Sequence, residues 1–174
     1  MKIQITLTLL LFFYLNICWG QVPKLDIEGS SFEQVILEDG FEDGSISPFV
    51  PGNAGSGNGS WVVSNLAANL GTLSATPYTS ECSSTQATLT LNTTTPTGVS
   101  SYVRFHFKMI SGFAVEFSVN NVVQYANNTS TDWIDQKFPI GEGTQELKWV
   151  VKDERSCLGG TSELGNVFID DVKV

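Results

Sequence analysis

The chain has 174 residues, with 18 Asp and Glu against 9 Lys and Arg, a formal charge of −9. That surplus argues against docking on nucleic acid or on anionic lipid, both of which demand clustered cations.

In chain order, Met1-Lys2-Ile3 puts one positive charge ahead of an apolar run, Leu7 to Tyr14, that continues through Leu15 and Ile17 to Cys18-Trp19-Gly20 and Gln21. This is the pattern of a secretory signal peptide, read as residues 1–20. The apolar run is shorter than the roughly 20 residues that span a bilayer, and Asn16 interrupts it. A lipid anchor at Cys18 fits poorly, because bulky Ile17 stands where such signals want a small residue. The protein is therefore expected to be secreted, extracellular or at the cell surface, with no membrane span after cleavage. Roughly 150 residues then remain, enough for one domain with a real core. Losing Lys2 takes the formal charge from −9 to −10. Cys18 leaves with the signal, so Cys82 and Cys157 remain as an even pair in an oxidising compartment, expected to form a disulfide. These two and the lone His106 lack zinc-ligand spacing.

Residues 21–33 show no period and read as a loose lead-in; the domain is expected over 34–174. Gln34 to Leu37 is the first strand candidate. Ser45 to Ser60 carries Gly52, Gly55, Gly57 and Gly59 and reads as a loop, but no Gly-Lys-Ser/Thr follows to make it a phosphate cradle. Strands are expected at Trp61–Ser64, Gln86–Leu91, Tyr102–Ile110, Phe113–Val119, Val122–Tyr125, Trp133–Phe138, Gln145–Val151 and Asn166–Val174. Turns are expected at Asn92–Gly98, Ser111-Gly112, Asn120-Asn121 and Gly141–Gly143. The chain closes on its last strand, as a stand-alone module would. Many short strands without a helical stripe predict an all-β, single-domain antiparallel sandwich or barrel. Phe105, Phe107, Val115, Phe117, Leu147 and Trp149 are expected to face inward, and Trp61 to join the core.

Phe41-Glu42-Asp43-Gly44 and Phe168-Ile169-Asp170-Asp171-Val172 resemble the terminal signatures of jelly-roll modules, of which carbohydrate-binding modules and MAM-like domains of adhesive extracellular proteins are two related groups. The middle is similar to the MAM-like side: Phe113 to Asn120 resembles its strand and tight turn. Trp133, Gly141 and Thr144 to Trp149 with Lys152-Asp153 resemble its Trp, glycine turn and following strand. The resemblance covers Leu37 to Val174 and departs in the Gly-rich stretch after Gly44. It implies a jelly-roll β-sandwich, concanavalin-like or galactose-binding-like, with its first and last strands side by side. It further implies adhesion or recognition of an extracellular glycan or protein, without chemistry. A carbohydrate-binding module is the alternative, and a small polysaccharide-degrading enzyme the third reading. The carbohydrate-binding relatives commonly hold a calcium ion between acidic residues of the two termini, which nominates Glu42 and Asp170, then Asp43 and Asp171. Carboxylates from two loops with backbone carbonyls suit calcium; the alternative is an acidic turn facing water.

Catalytic groups are scarce. His106 lies mid-strand, and no strand-turn-helix nucleophile motif accompanies it. Alternation puts Tyr102, Arg104, His106 and Lys108 on one face and Val103, Phe105, Phe107 and Met109 on the other. Glu116 would lie near Arg104, His106 or Lys108 if its strand paired with theirs, giving either an ion pair or part of a polar ligand-binding stripe. Tyr78, Tyr125 and Trp133 lie in or beside loops, where they would stack on sugar rings or merely pack.

Overall fold

The structure, a computed structural model, describes residues 34–54, 59–79, 86–110, 112–154, 163–164 and 166–174. The expected signal peptide, lead-in and Cys82–Cys157 pair lie outside them. The strands are β1 (Glu38–Asp39), β2 (Val50–Asn53), β3 (Gly59–Ser64), β4 (Ser74–Thr79), β5 (Gln86–Thr95), β6 (Ser101–Met109), β7 (Phe113–Val119), β8 (Val122–Asn127), β9 (Thr131–Ile140), β10 (Gly143–Asp153), β11 (Glu163–Leu164) and β12 (Val167–Lys173). They form two antiparallel sheets. One runs β11-β4-β12-β6-β9, with β1 on β12 and β3 on β4; the other runs β2-β5-β10-β7-β8. The all-β antiparallel sandwich is as expected. So is the pairing of the first and last strands: β1 lies against β12, Glu38 opposite Lys173 and Asp39 opposite Val172.

Period-two patterning builds the core. On β6, Val103, Phe105, Phe107 and Met109 are buried, and on β7, Phe113, Val115, Phe117 and Val119. Leu147, Trp149 and Val151 of β10 and Ala87, Leu89 and Leu91 of β5 complete the inner face of the second sheet. Aromatic rings lock the layers together. Phe105 of one sheet lies 5.0 Å from Phe117 and 5.3 Å from Trp149 of the other, and Phe138 of β9 lies 5.2 Å from Phe117. Burying each such side chain stabilises the fold by about 1.5–3 kcal/mol. Phe41, at a left-handed φ of 59°, plugs the core beside Phe49, 5.4 Å away. All six residues expected to face inward do so, although β6 and β7 face each other across the core. The chain changes sheet through Gly112, whose φ of 95° few other residues adopt.

Four points differ from expectation. The first strand is Glu38–Asp39, just after the Gln34–Leu37 segment where it was expected. The Gly-rich stretch is partly strand: β2 and the start of β3 fall in it. Its glycines mark close approach to a neighbouring strand. A Cβ on Gly52 would meet Thr88 Oγ1 at 2.7 Å, and one on Gly59 the Ala87 backbone at 3.2 Å. Strand β5 runs through the expected turn to Thr95, whose buried hydroxyl donates to the Gly141 carbonyl at 2.6 Å. Strand β4 was not foreseen. Its Ser74, Ala75 and Thr76 are fully buried, and the small polar members hide inside by bonding backbone: Thr76 Oγ1 donates to the Val167 carbonyl at 2.7 Å.

Candidate functional site

The outer face of β6 and its two neighbours carries the site. Cross-strand register sets its rows: Lys173–Arg104–Lys137, then Asp170–His106–Asp135, then Phe168–Lys108, with Tyr102 opposite Pro139 at the other end. Tyr102, Arg104, His106 and Lys108 therefore share one face, as expected. From Tyr102 to Lys108 the stripe runs about 20 Å at ~3.4 Å per residue.

Charges along it are clasped diagonally. Arg104 grips Asp135 with two hydrogen bonds, Nε to Oδ1 and Nη2 to Oδ2, both 2.8 Å. These bonds hold the Asp135 carboxyl below its ordinary pKa. Both side chains are nearly half exposed, so the pair contributes well under 1 kcal/mol to stability; its effect is to fix the orientation of two planar polar groups. Lys108 bonds Asp132 at 2.9 Å and holds it below its usual pKa in the same way. His106 lies between two carboxylates, with Nδ1 3.5 Å from Asp171 and Nε2 3.9 Å from Asp135. Aromatics mark the two ends. Tyr102 is 44% exposed, the one exposed aromatic among the described residues, and the Lys137 ammonium hangs 4.5 Å from its ring centroid. Trp133 is half-buried and lies against Phe168, centroids 6.3 Å apart.

Two other candidates for ligand contact, Glu116 and Tyr125, lie away from this stripe. Strand β7 pairs with β10 and β8, so Glu116 is on the other sheet, bound to Lys152 at 2.6 Å. Tyr125 turns inward, packing 5.4 Å from Phe107 and 6.0 Å from Phe138, and burial raises its hydroxyl pKa. Asp132, Asp135, Lys137 and Lys173 were not foreseen. The signal was present for two of them: Trp133, Asp135 and Lys137 alternate along β9 as Tyr102, Arg104 and His106 do along β6.

The opposite outer face, on the five-stranded sheet, is different. Its rows read Val50–Thr90–Lys148–Ser118–Val123 and Gly52–Thr88–Val150–Glu116–Ala126. These rows contain no aromatic ring on which a sugar could stack.

The acidic termini do meet, around one loop. Glu42 accepts from the Thr72 amide at 2.9 Å, the Thr72 hydroxyl at 3.0 Å and the Leu73 amide at 2.8 Å, which holds its carboxyl below the ordinary range. Asp170 accepts from the Asn69 amide at 2.8 Å and Asp171 from the Asn69 side chain at 2.9 Å. Asp43 is turned to Ser45. Asp170 is fully buried, and that burial pushes its carboxyl up to about 6. Asp171 Oδ1 and Asp170 Oδ1 lie 3.5 and 3.8 Å from where a Gly40 Cβ would stand. For calcium, Glu42 is filled by N–H and O–H donors and Asp43 points away; the two Asp170 oxygens each accept from a backbone amide, those of Asn69 and Asp171, so Asp170 and Asp171 could offer an ion only their remaining lone pairs. Among the described residues no three His, Cys, Asp or Glu converge to hold a metal. An ion here would take its remaining ligands from backbone carbonyls.

No protein-family model matches the sequence, and no curated protein matches it significantly. Solved structures do match the fold. A family 61 carbohydrate-binding module in complex with β-1,4-galactotriose is 20% identical with a TM-score of 0.54, covering 77% of this chain and 92% of that one. A family 11 module from Clostridium thermocellum in complex with a β-1,3-1,4-mixed-linked tetrasaccharide is 9% identical at 0.53, covering 78% and 91%. The K2 cleaved adhesin domain of Lys-gingipain is 12% identical at 0.51, covering 79% and 97%.

Proposed function

We propose that the chain is an exported, non-catalytic carbohydrate-binding module that lays an extended glycan along the outer face of β6 and β9. The observation that carries this is the placement of Tyr102 and Trp133 towards the two ends of one oriented polar stripe, on a fold shared with modules solved in complex with oligosaccharides. Sugar rings offer apolar faces to aromatic rings and hydroxyls to planar charged groups. Here Tyr102 supplies a face, and Arg104, Asp135, His106 and Lys108 supply donors and acceptors. The stripe's ~20 Å is long enough for several sugar rings of an extended chain. Calcium belongs to the same proposal as a structural ion at Asp170 and Asp171, where it would neutralise buried charge and tie β12 to the Gly40 turn.

Affinity electrophoresis against a panel of plant and microbial polysaccharides tests the reading. At least one polymer should retard the wild type, and Tyr102→Ala should abolish most of the retardation. Retardation untouched by Tyr102→Ala would contradict it. A second reading, adhesion to an extracellular protein, has one observation in its favour: the similarity to the adhesin domain over 97% of that domain. Binding to an immobilised extracellular protein that no glycan competes away would select it.

A further inference from the structure

We infer that the Lys173–Arg104–Lys137 row is a subsite for an anionic substituent, a carboxylate or a sulfate ester, of an acidic polysaccharide; this rests on the glycan-binding reading above. Three of the chain's 9 cations stand directly opposite one another on β12, β6 and β9. Opposed residues on neighbouring strands have Cβ atoms about 5 Å apart, and like charges so placed repel. An acidic protein has no structural need for such a row. Folding alone would be better served by an acid at either flanking position.

The neighbouring acids offset only part of the charge. Asp135 clasps Arg104 from the next row, and Glu38 pairs with Lys173 at 2.5 Å at the outer end. Lys137 is exposed, and its ammonium is laid over the ring of Tyr102. That places a cation on the face of the ring itself, so that a sugar stacking on Tyr102 meets the ammonium directly. A carboxylate or sulfate projecting from the edge of that sugar would enter the row and relieve its repulsion. An uncharged sugar would leave the repulsion in place.

The test is affinity electrophoresis of the wild type in gels containing polygalacturonate, dextran sulfate, or neutral galactan and xylan, at low and at physiological salt. Lys137→Gln, Lys173→Gln and, on the opposite sheet, Lys148→Gln are run alongside, with thermal melts to confirm folding. At least one acidic polymer should retard the wild type more than the neutral ones, and salt should weaken the effect. Lys137→Gln or Lys173→Gln should lower affinity roughly tenfold, the loss of one charge-assisted hydrogen bond, with Lys148→Gln unchanged. Retardation by polygalacturonate alone assigns a carboxylate; by dextran sulfate alone, a sulfate. Equal retardation by neutral and acidic polymers, or equal effects of all three substitutions, overturns the inference and leaves the glycan reading standing. No retardation by any polymer defeats both.

Discussion

Replacing Phe117 by Ala would remove the ring that joins the two sheets. Phe117 is fully buried and lies 5.0 Å from Phe105, 5.2 Å from Phe138 and 5.1 Å from Trp149. None of those rings can swing into the gap without leaving its own strand position, so a cavity should persist. The loss then combines the transfer free energy of the ring with the cavity term, about 3–5 kcal/mol. Set against a total stability of about 5–15 kcal/mol, that is a large fraction. At about 2–4 °C per kcal/mol for a domain of this size, the midpoint should fall by roughly 10 °C. Urea melts followed by tryptophan fluorescence measure it directly, because Trp149 touches the altered site. A loss below about 1 kcal/mol would mean that Phe117 does not hold the sheets together and that the inner face of β7 is wrongly assigned.

Other consequences follow from the loop that unites the acidic ends. Gly71 has a φ of 79°, and a Cβ there would run into the Glu42 carboxylate; Gly71→Ala should therefore cost about 1–3 kcal/mol in denaturant melts, and an unchanged midpoint would show that the loop gives way freely. Asp170, raised to about 6 by burial, favours protonation in the folded state. Its carboxylate therefore costs stability at neutral pH, and the cost is relieved as pH falls from above 6 towards the unfolded value near 3.8. In chelator the thermal midpoint should rise from pH 7.5 to 5.5 and Asp170→Asn should flatten that rise, a flat wild-type profile arguing against the buried charge. Calcium at neutral pH should raise stability through the same carboxylate, by about 2.7 kcal/mol at a hundredfold excess over Kd, and with it the midpoint; identical melts in calcium and chelator would remove the ion. Alkylation of the non-reduced protein should find no free thiol at Cys82 or Cys157, and two modified cysteines would rule out their disulfide.

The parts of this molecule that could be read in advance are those where alternation is clean. Strands β6 and β7 carry large apolar residues at every second position, so both their faces were legible before any partner was known. Strand β4 was not, because Ser74 and Thr76 are buried by bonding to backbone carbonyls, and nothing local announces a polar residue that goes inside. Gly52 and Gly59 misled for a related reason: a glycine that admits a neighbouring strand looks like one that breaks a strand. Pairing was harder still. Strands β6 and β7 are consecutive, yet the chain crosses between sheets at Gly112, which carried Glu116 away from Arg104 and turned Tyr125 inward. Alternation gave the β6 half of the candidate stripe. Which residues of β9 and β12 stand beside it depended on register, which long-range packing decides.

The most direct test of the account is where on the sandwich a sugar docks. Amide chemical shifts of isotope-labelled protein, titrated with an oligosaccharide from whichever polymer retards it, would locate the contact. The largest changes should fall on β6 and β9, at Tyr102, Arg104, His106, Asp135 and Lys137. Changes centred instead on Thr88, Thr90, Lys148 and Val150 would place the site on the five-stranded sheet and contradict the assignment.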